Sequence, residues 1–218
     1  MRKTIACVFA HPDDEAFGPS GTIAQLAKDN DVYILCATKG EAGENSLQAS
    51  EKLAHIREKE LLESAKILGV KKVYFLGFKD GTLSNNLYHK LASKIQGILE
   101  KLKPEMIITV EMRGVSGHID HITVSMVTSF VFEKLPFIKT IMYSCISDKR
   151  REFFKDYFIF VPPGYKKSEI DKVVDITDVW DLKVKAMRTH KSQSADAERI
   201  LREIKDLPKE EYFLVTEK

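Results

Sequence analysis

The chain has 218 residues, 44% hydrophobic and 30% charged, a balance that suits one soluble globular domain with a full core. Its 34 basic and 32 acidic residues leave a formal charge of +2, which supplies neither an acidic tail nor the basic face that nucleic acid requires. The apolar stretch ahead of His11 is too short for a secretion signal or a membrane span. The three cysteines, Cys7, Cys36 and Cys145, form no CxxC pair, so a cytoplasmic protein without disulfides is expected.

In chain order, Thr4–Ala10, Val32–Thr38, Val73–Leu76, Met106–Val110, Thr140–Ile146 and Tyr157–Val161 read as strands. Most are apolar throughout, as strands covered on both faces of a parallel sheet should be. Helical periods separate them. Leu61, Ala65 and Leu68 share one face, with Gly69 as a helix stop, and Leu87, Leu91, Ile95, Ile98 and Leu102 share another. Lys39–Ser50 is polar and glycine-bearing, a loop. After the break at Pro162-Pro163-Gly164, the spacing of Trp180, Val184 and Met187, then of Ile200, Ile204 and Leu207, predicts two terminal helices. The whole of 1–218 is expected to be a single Rossmann-like α/β domain with a doubly wound, mostly parallel sheet and a helical C-terminal extension.

The first strand runs into His11-Pro12-Asp13-Asp14-Glu15. Pro12 cannot donate to a sheet ladder, so pairing stops there and the acidic loop lies at the strand's carboxyl end. Open α/β sheets bind ligands at such ends, where the crossover direction switches, and the first and fourth strands flank that point in the common order. The fourth strand leads to Gly117-His118-Ile119-Asp120-His121, so the two clusters are expected to be neighbours in space. Two histidines and a carboxylate leave a fourth position open, as catalytic zinc requires. One of His118 and His121 can bind the metal while the other reaches the reacting group. One of Asp13 and Asp14 can coordinate while the other takes a proton from water, the elements of metal-assisted hydrolysis. The competing reading is that Asp13-Asp14-Glu15 only caps a helix and the histidines sit on its surface.

These motifs resemble the LmbE-like, or PIG-L, family of zinc-dependent de-N-acetylases, which act on N-acetylglucosamine units of small glycosides and glycolipids. Thr38-Lys39-Gly40-Glu41-Ala42-Gly43, Arg57 with Glu60 at the opening of a helix, Lys79-Asp80-Gly81 and His190-Lys191-Ser192-Gln193 extend the resemblance along the chain. One departure is Ile119, where many members have proline. The resemblance implies metal ligation by His11, Asp14 and His121. It implies Asp13 as general base, His118 as oxyanion stabiliser or acid to the leaving amine, and Asp120 as the group that orients a histidine. Arg57, Asp80 and His190 resemble positions that hold the sugar. The implied cofactor is Zn2+, with Fe2+ or another divalent ion also compatible with these ligands. The implied partners are a small glycoside substrate and further copies of the chain, as a homo-trimer or hexamer.

Other signals point to structure. Gly18-Pro19-Ser20-Gly21 lacks the dinucleotide fingerprint, and Pro19 removes an amide that a phosphate would need. Glu41 and Glu44 read as solvated loop residues, His55 and His89 as surface, and the cysteines as core filler. The basic runs Lys149-Arg150-Arg151 and Lys166-Lys167 read as solvated faces. Phe153, Phe154, Tyr157, Phe158 and Phe160 read as core or a subunit contact, and Trp180 as core. Two other functions compete with sugar deacetylation: amide cleavage on a thiol-linked glucosaminide conjugate, and metal-bound carbohydrate binding without turnover. Asp13 weighs against the last, since binding alone needs no base.

Overall fold

Alternation along the first strand sets the layers. A computed structural model describes residues 2–43, 50–152 and 160–218. In β1 (Thr4–Phe9), Ile5, Cys7 and Phe9 enter one apolar layer, while Ala6, Val8 and the following Ala10 enter the other. β2 (Asp31–Cys36), β3 (Lys72–Phe75), β4 (Met106–Val110) and β5 (Thr140–Cys145) join β1 in parallel register, so most of the central strands are covered on both faces.

One face carries α2 (Ser20–Asp29) and α3 (Ser50–Ile67), with α8 (Trp180–Thr189) and α9 (Ser194–Glu203) from the C-terminal third. The other carries α4 (Tyr88–Leu102) and α6 (Ile119–Lys134). The expected stripe on α4 packs as read: Leu91 and Ile95 are fully buried, with Leu87, Ile98 and Leu102 against the same layer. Short helical turns, α1 (Asp14–Phe17), α5 (Gly114–Gly117) and α7 (Asp148–Arg151), follow β1, β4 and β5.

The C-terminal third departs from expectation. It holds the two helices but also β6 (Lys172–Asp175) and β7 (Glu210–Glu217), which complete the order β3-β2-β1-β4-β5-β7-β6. β7 runs antiparallel to β5 and β6 antiparallel to β7. The charged residues of Glu210–Glu217 hide a strand whose Glu211 and Phe213 point inward, where Glu211 meets the buried Lys183 at 2.8 Å. α9 ends at Glu203, so Ile204 is its cap and Leu207 lies past it. Most of the expected strand Tyr157–Val161, together with Phe153, Phe154 and Glu44, lies outside the described residues. None of the described helices is long and apolar enough to cross a membrane.

β1 and β4 are adjacent, and the crossovers from them run outward in opposite directions along the sheet. The loops after these two strands therefore open on the same switch point.

Candidate active site

Two carboxylates shape the turn after β1. Asp14 Oδ2 accepts the amides of Ala10 and His11, both at 3.0 Å, which curls the chain beyond the last strand residue. Asp13 takes a left-handed backbone conformation, φ 111°, a strained one for any residue with a side chain. Its amide is held by Glu15 Oε2 at 3.0 Å. Glu15 is fully buried and its other oxygen accepts from Ser64 Oγ at 2.6 Å and lies 2.7 Å from His190 Nε2.

The loop after β4 presents the second cluster. His118 caps α6, with its Nδ1 accepting the Asp120 amide at 3.2 Å. His121 turns inward from the first turn of α6 and its Nδ1 donates to the Gly114 carbonyl at 3.1 Å. Asp120 is buried and accepts the amides of Gly81 (2.8 Å) and Leu83 (3.1 Å), which ties the turn after β3 to the same centre.

The two loops meet. His11, His118 and His121 form a triangle of rings with centroids 4.8, 4.9 and 5.0 Å apart. His11 Nε2 is 2.8 Å from Asp80 Oδ1 and 3.4 Å from Asp120 Oδ2, so those carboxylates hold its proton. That turns His11 Nδ1 toward His121 Nε2 at 3.0 Å, with Asp14 Oδ1 3.1 Å from the latter. A proton or a divalent cation at that point would bind all three groups together. The donor types are those a divalent transition ion takes, and the outer partners are those that orient such ligands. Among the described residues, nitrogens of His11, His118 and His121 lie within 4.8 Å of one another, as do donor atoms of His11, Asp80 and Asp120.

Electrostatics agree. Burial opposes a charge on His11, yet Asp120, Asp80 and Asp14 outweigh it and raise its pKa to about 10. The cluster favours positive charge at that point. Burial disfavours charge on Asp14 too, but His121 and His11 bring its carboxyl well below the usual range. Asp13 differs from its neighbour. Burial and the Asp14 charge lift it to about 6 against the pull of Arg57, whose Nη2 sits 2.9 Å from its Oδ2. Burial and the two neighbouring histidines lower His118 to about 4, which keeps it neutral.

The cluster forms the floor of a cleft of about 490 Å³, walled by Arg57 and Gly43 on one side, the end of β5 on another, and Gln193 and α9 above. Arg57 and Asp80 line it with most of their polar atoms already engaged, Arg57 Nε being buried without a hydrogen-bond partner. Arg57 holds Asp13, Pro12 O and Gly40 O, and Asp80 holds His11 and the Ala42 amide. Both therefore contact the His11–Asp13 turn and the loop at Gly40–Ala42. Arg57 and Glu60 do not open a helix: both sit well inside α3. Gly40, at φ +69°, lets the guanidinium lie flat on the loop, where an added Cβ would fall 2.3 Å from Arg57 Cζ.

His190 is the clear misplacement. It is fully buried behind α1, paired with Glu15, and does not face the cleft. Gln193, three residues on, does line it, while Ser192 binds Glu60. Reading residue types alone missed Glu15, whose role shows only once its partners are known. The amides of Gly21 and Thr22, at the start of α2, are filled by the Glu211 carboxylate at 2.9 and 2.8 Å, so no phosphate cradle exists there. All three cysteines are buried; Cys145 also touches the cleft, and burial pushes its thiol up to about 12, far from a nucleophile's range.

Comparison with known proteins fits this geometry. The family model PIG-L, described as GlcNAc-PI de-N-acetylase, matches residues 6–131. The chain is 31% identical over 201 residues to the probable N-acetyl-alpha-D-glucosaminyl L-malate deacetylase 2 of Bacillus cereus, covering 89% of this chain and 85% of that protein. It is 30% identical over 197 residues to the diacetylchitobiose deacetylase of Thermococcus kodakarensis, covering 88% and 70%. Among solved structures, the N,N'-diacetylchitobiose deacetylase of Pyrococcus horikoshii superposes with a TM-score of 0.78 at 27% identity, over 99% of this chain and 84% of that one. With the family model spanning both histidine clusters and the fold shared end to end, the chain belongs to the PIG-L, GlcNAc-PI de-N-acetylase, family.

Proposed function

We propose that this protein is a metal-dependent hydrolase that removes the N-acetyl group from an N-acetylglucosamine-type glycoside, releasing acetate and a free amine. The observation that carries the reading is the juxtaposition of Asp13 with the convergent His11, Asp14 and His121 donors, beside a cleft large enough for a sugar. His11, Asp14 and His121 would hold the ion, with zinc favoured by two imidazoles and one carboxylate. When bound, such an ion supplies Lewis acidity, acidifying water toward neutral pH and polarising the acyl oxygen.

The chain's own groups do the rest. Asp80 and Asp120 keep the His11 proton on Nε2 and so keep Nδ1 available as a ligand. Asp13, fixed through Arg57 on its side chain and Glu15 on its amide, takes the proton as the water oxygen attacks the acyl carbon. His118 accepts the Asp120 amide on Nδ1, so the neutral ring carries its proton on Nε2 and serves as a donor to the oxygen that becomes negative. As the carbon–nitrogen bond breaks, the proton held by Asp13 passes to the departing nitrogen, giving amine and acetate. The test is acetate release from N-acetylglucosaminides, before and after dialysis against a chelator. Release that stops on chelation and returns with added zinc supports the reading. Release indifferent to metal, or none from any N-acetylglucosaminide with metal bound, would overturn it.

A further inference from the structure

His121 is held from behind by one peptide group. Its Nδ1 donates to the Gly114 carbonyl at 3.1 Å, and the amide of the same peptide, on Val115, donates to Glu111 Oε1 at 2.7 Å. The peptide is trans, so its carbonyl and amide point in opposite directions. The His121 ring thus lies at one edge of a rigid plane and a carboxylate at the other.

Glu111, the residue after β4, is buried. Its other oxygen, Oε2, accepts the Arg113 amide at 2.8 Å and the Tyr165 hydroxyl at 2.9 Å, with Arg113 Nε at 3.4 Å. Burial and the Glu111 charge push that hydroxyl up to about 12, so it stays a donor. Each of these contacts comes from a donor, so both oxygens act as acceptors. The carboxylate therefore takes the amides on both sides of Gly114 and fixes the direction of its carbonyl.

That direction is not one the chain adopts freely. Val115 sits at φ 61° and ψ −60°, a conformation that a β-branched residue rarely takes and that persists only where its surroundings over-determine it. Packing supplies part of the constraint. A Cβ added to Gly114 would lie 2.9 Å from Ile122 Cγ1 and 3.1 Å from His121 Cβ, so the turn rests directly on the start of α6. The Val115 side chain packs beside Ile146 and Val161 and forms part of the cleft wall. Neither contact aims the carbonyl; the bond to Glu111 does.

We propose that Glu111 is a positioning residue for the metal ligand His121: it holds the Val115 amide, which aims the Gly114 carbonyl at Nδ1 and leaves Nε2 directed at His11 and Asp14. The Glu111 charge also polarises the peptide and strengthens its carbonyl as an acceptor. Glu111 itself does not line the cleft and acts through this peptide. The proposal deepens the metal-dependent hydrolase reading and rests on it.

The test compares wild type with Glu111→Gln, which keeps the shape but removes the charge, Glu111→Asp, which keeps the charge on a shorter arm, and Tyr165→Phe, which removes one donor to the same carboxylate. Zinc affinity is measured by competition with a chelating dye, and the ring nitrogens of His121 are followed by NMR with and without zinc. Glu111→Gln should weaken zinc about threefold to thirtyfold, less than the loss of a direct partner of the ligand can reach. Without metal, His121 should carry its proton on Nδ1 in wild type and shift toward the Nε2–H form in Glu111→Gln. Glu111→Asp should fall between the two, and it carries the same test if Glu111→Gln does not fold. Tyr165→Phe should leave zinc affinity within about twofold of wild type, whatever it does to thermal stability. Unchanged zinc affinity and His121 shifts in Glu111→Gln would overturn the role, as would an equal loss of zinc affinity in Tyr165→Phe, which would mean a loosened loop. If wild type takes up no zinc, the metal reading fails, and the His121 shifts of the metal-free protein still judge Glu111 by themselves.

Discussion

At the β1–β4 end of the cleft, Asp13, Asp14, Asp80 and Asp120 surround His11, His118 and His121, and the local field favours a cation. At the β5 end, Arg150, Lys183 and Arg199 stand against Glu211, Glu203 and Asp196, three cations against three carboxylates. Both ends are desolvated, so burial penalises charge in each. What separates them is the count and reach of partners. Backbone amides and histidines stabilise the carboxylates at one end, whereas carboxylates of β7 and α9 answer the cations at the other.

The sharpest break in this comparison is Asp13→Asn. It keeps the shape and an Arg57 contact but removes the base, and turnover should fall about 10²- to 10⁴-fold with the product's dissociation constant nearly unchanged. A drop of less than fivefold, measured by initial rates of acetate release, would remove Asp13 from its assigned role. At the opposite end, Glu211→Ala should strand the buried Lys183 charge and cost about 3–5 kcal/mol of stability, read by denaturant unfolding. Burial already pushes the Lys183 ammonium below its ordinary range, and without Glu211 only the Gly18 carbonyl and the Ser20 hydroxyl remain to it, so the loss should shrink as rising pH removes its proton. The smallest expected effect belongs to Glu15→Gln. The Asp13 amide and His190 lose their charged acceptor, and kcat should fall about tenfold to a hundredfold with KM and metal content held. An equal change in kcat and thermal stability would mark Glu15 as structural only.

How far the sequence discloses such a site depends on how local the partners are. His11 through Glu15 is contiguous, and the apolar runs that became β1 and β4 place its counterpart at His118 to His121, so the pairing of the two loops follows from pattern and topology. His190 escapes that logic because its partner Glu15 is 175 positions away, and a lone histidine gives no sign of which face it presents. Arg150, read as part of a solvated basic run, instead lines the cleft, reaching the Phe17 carbonyl at 3.4 Å within the field of Glu211 on β7 and Glu203 on α9. β7 hides for a related reason. Its inward glutamate breaks the apolar alternation that identifies a strand, and only the buried Lys183 across from it makes that residue tolerable.

The central claim is that two adjacent carboxylates divide the work, Asp14 binding the ion and Asp13 acting beside it. Metal content by plasma mass spectrometry, on chelator-free wild type, Asp14→Asn and Asp13→Asn, tests it directly. About one zinc or iron per chain is expected in wild type and in Asp13→Asn, with most of it lost from Asp14→Asn. Equal loss from both variants, or no metal in any of the three after titration, would contradict the account.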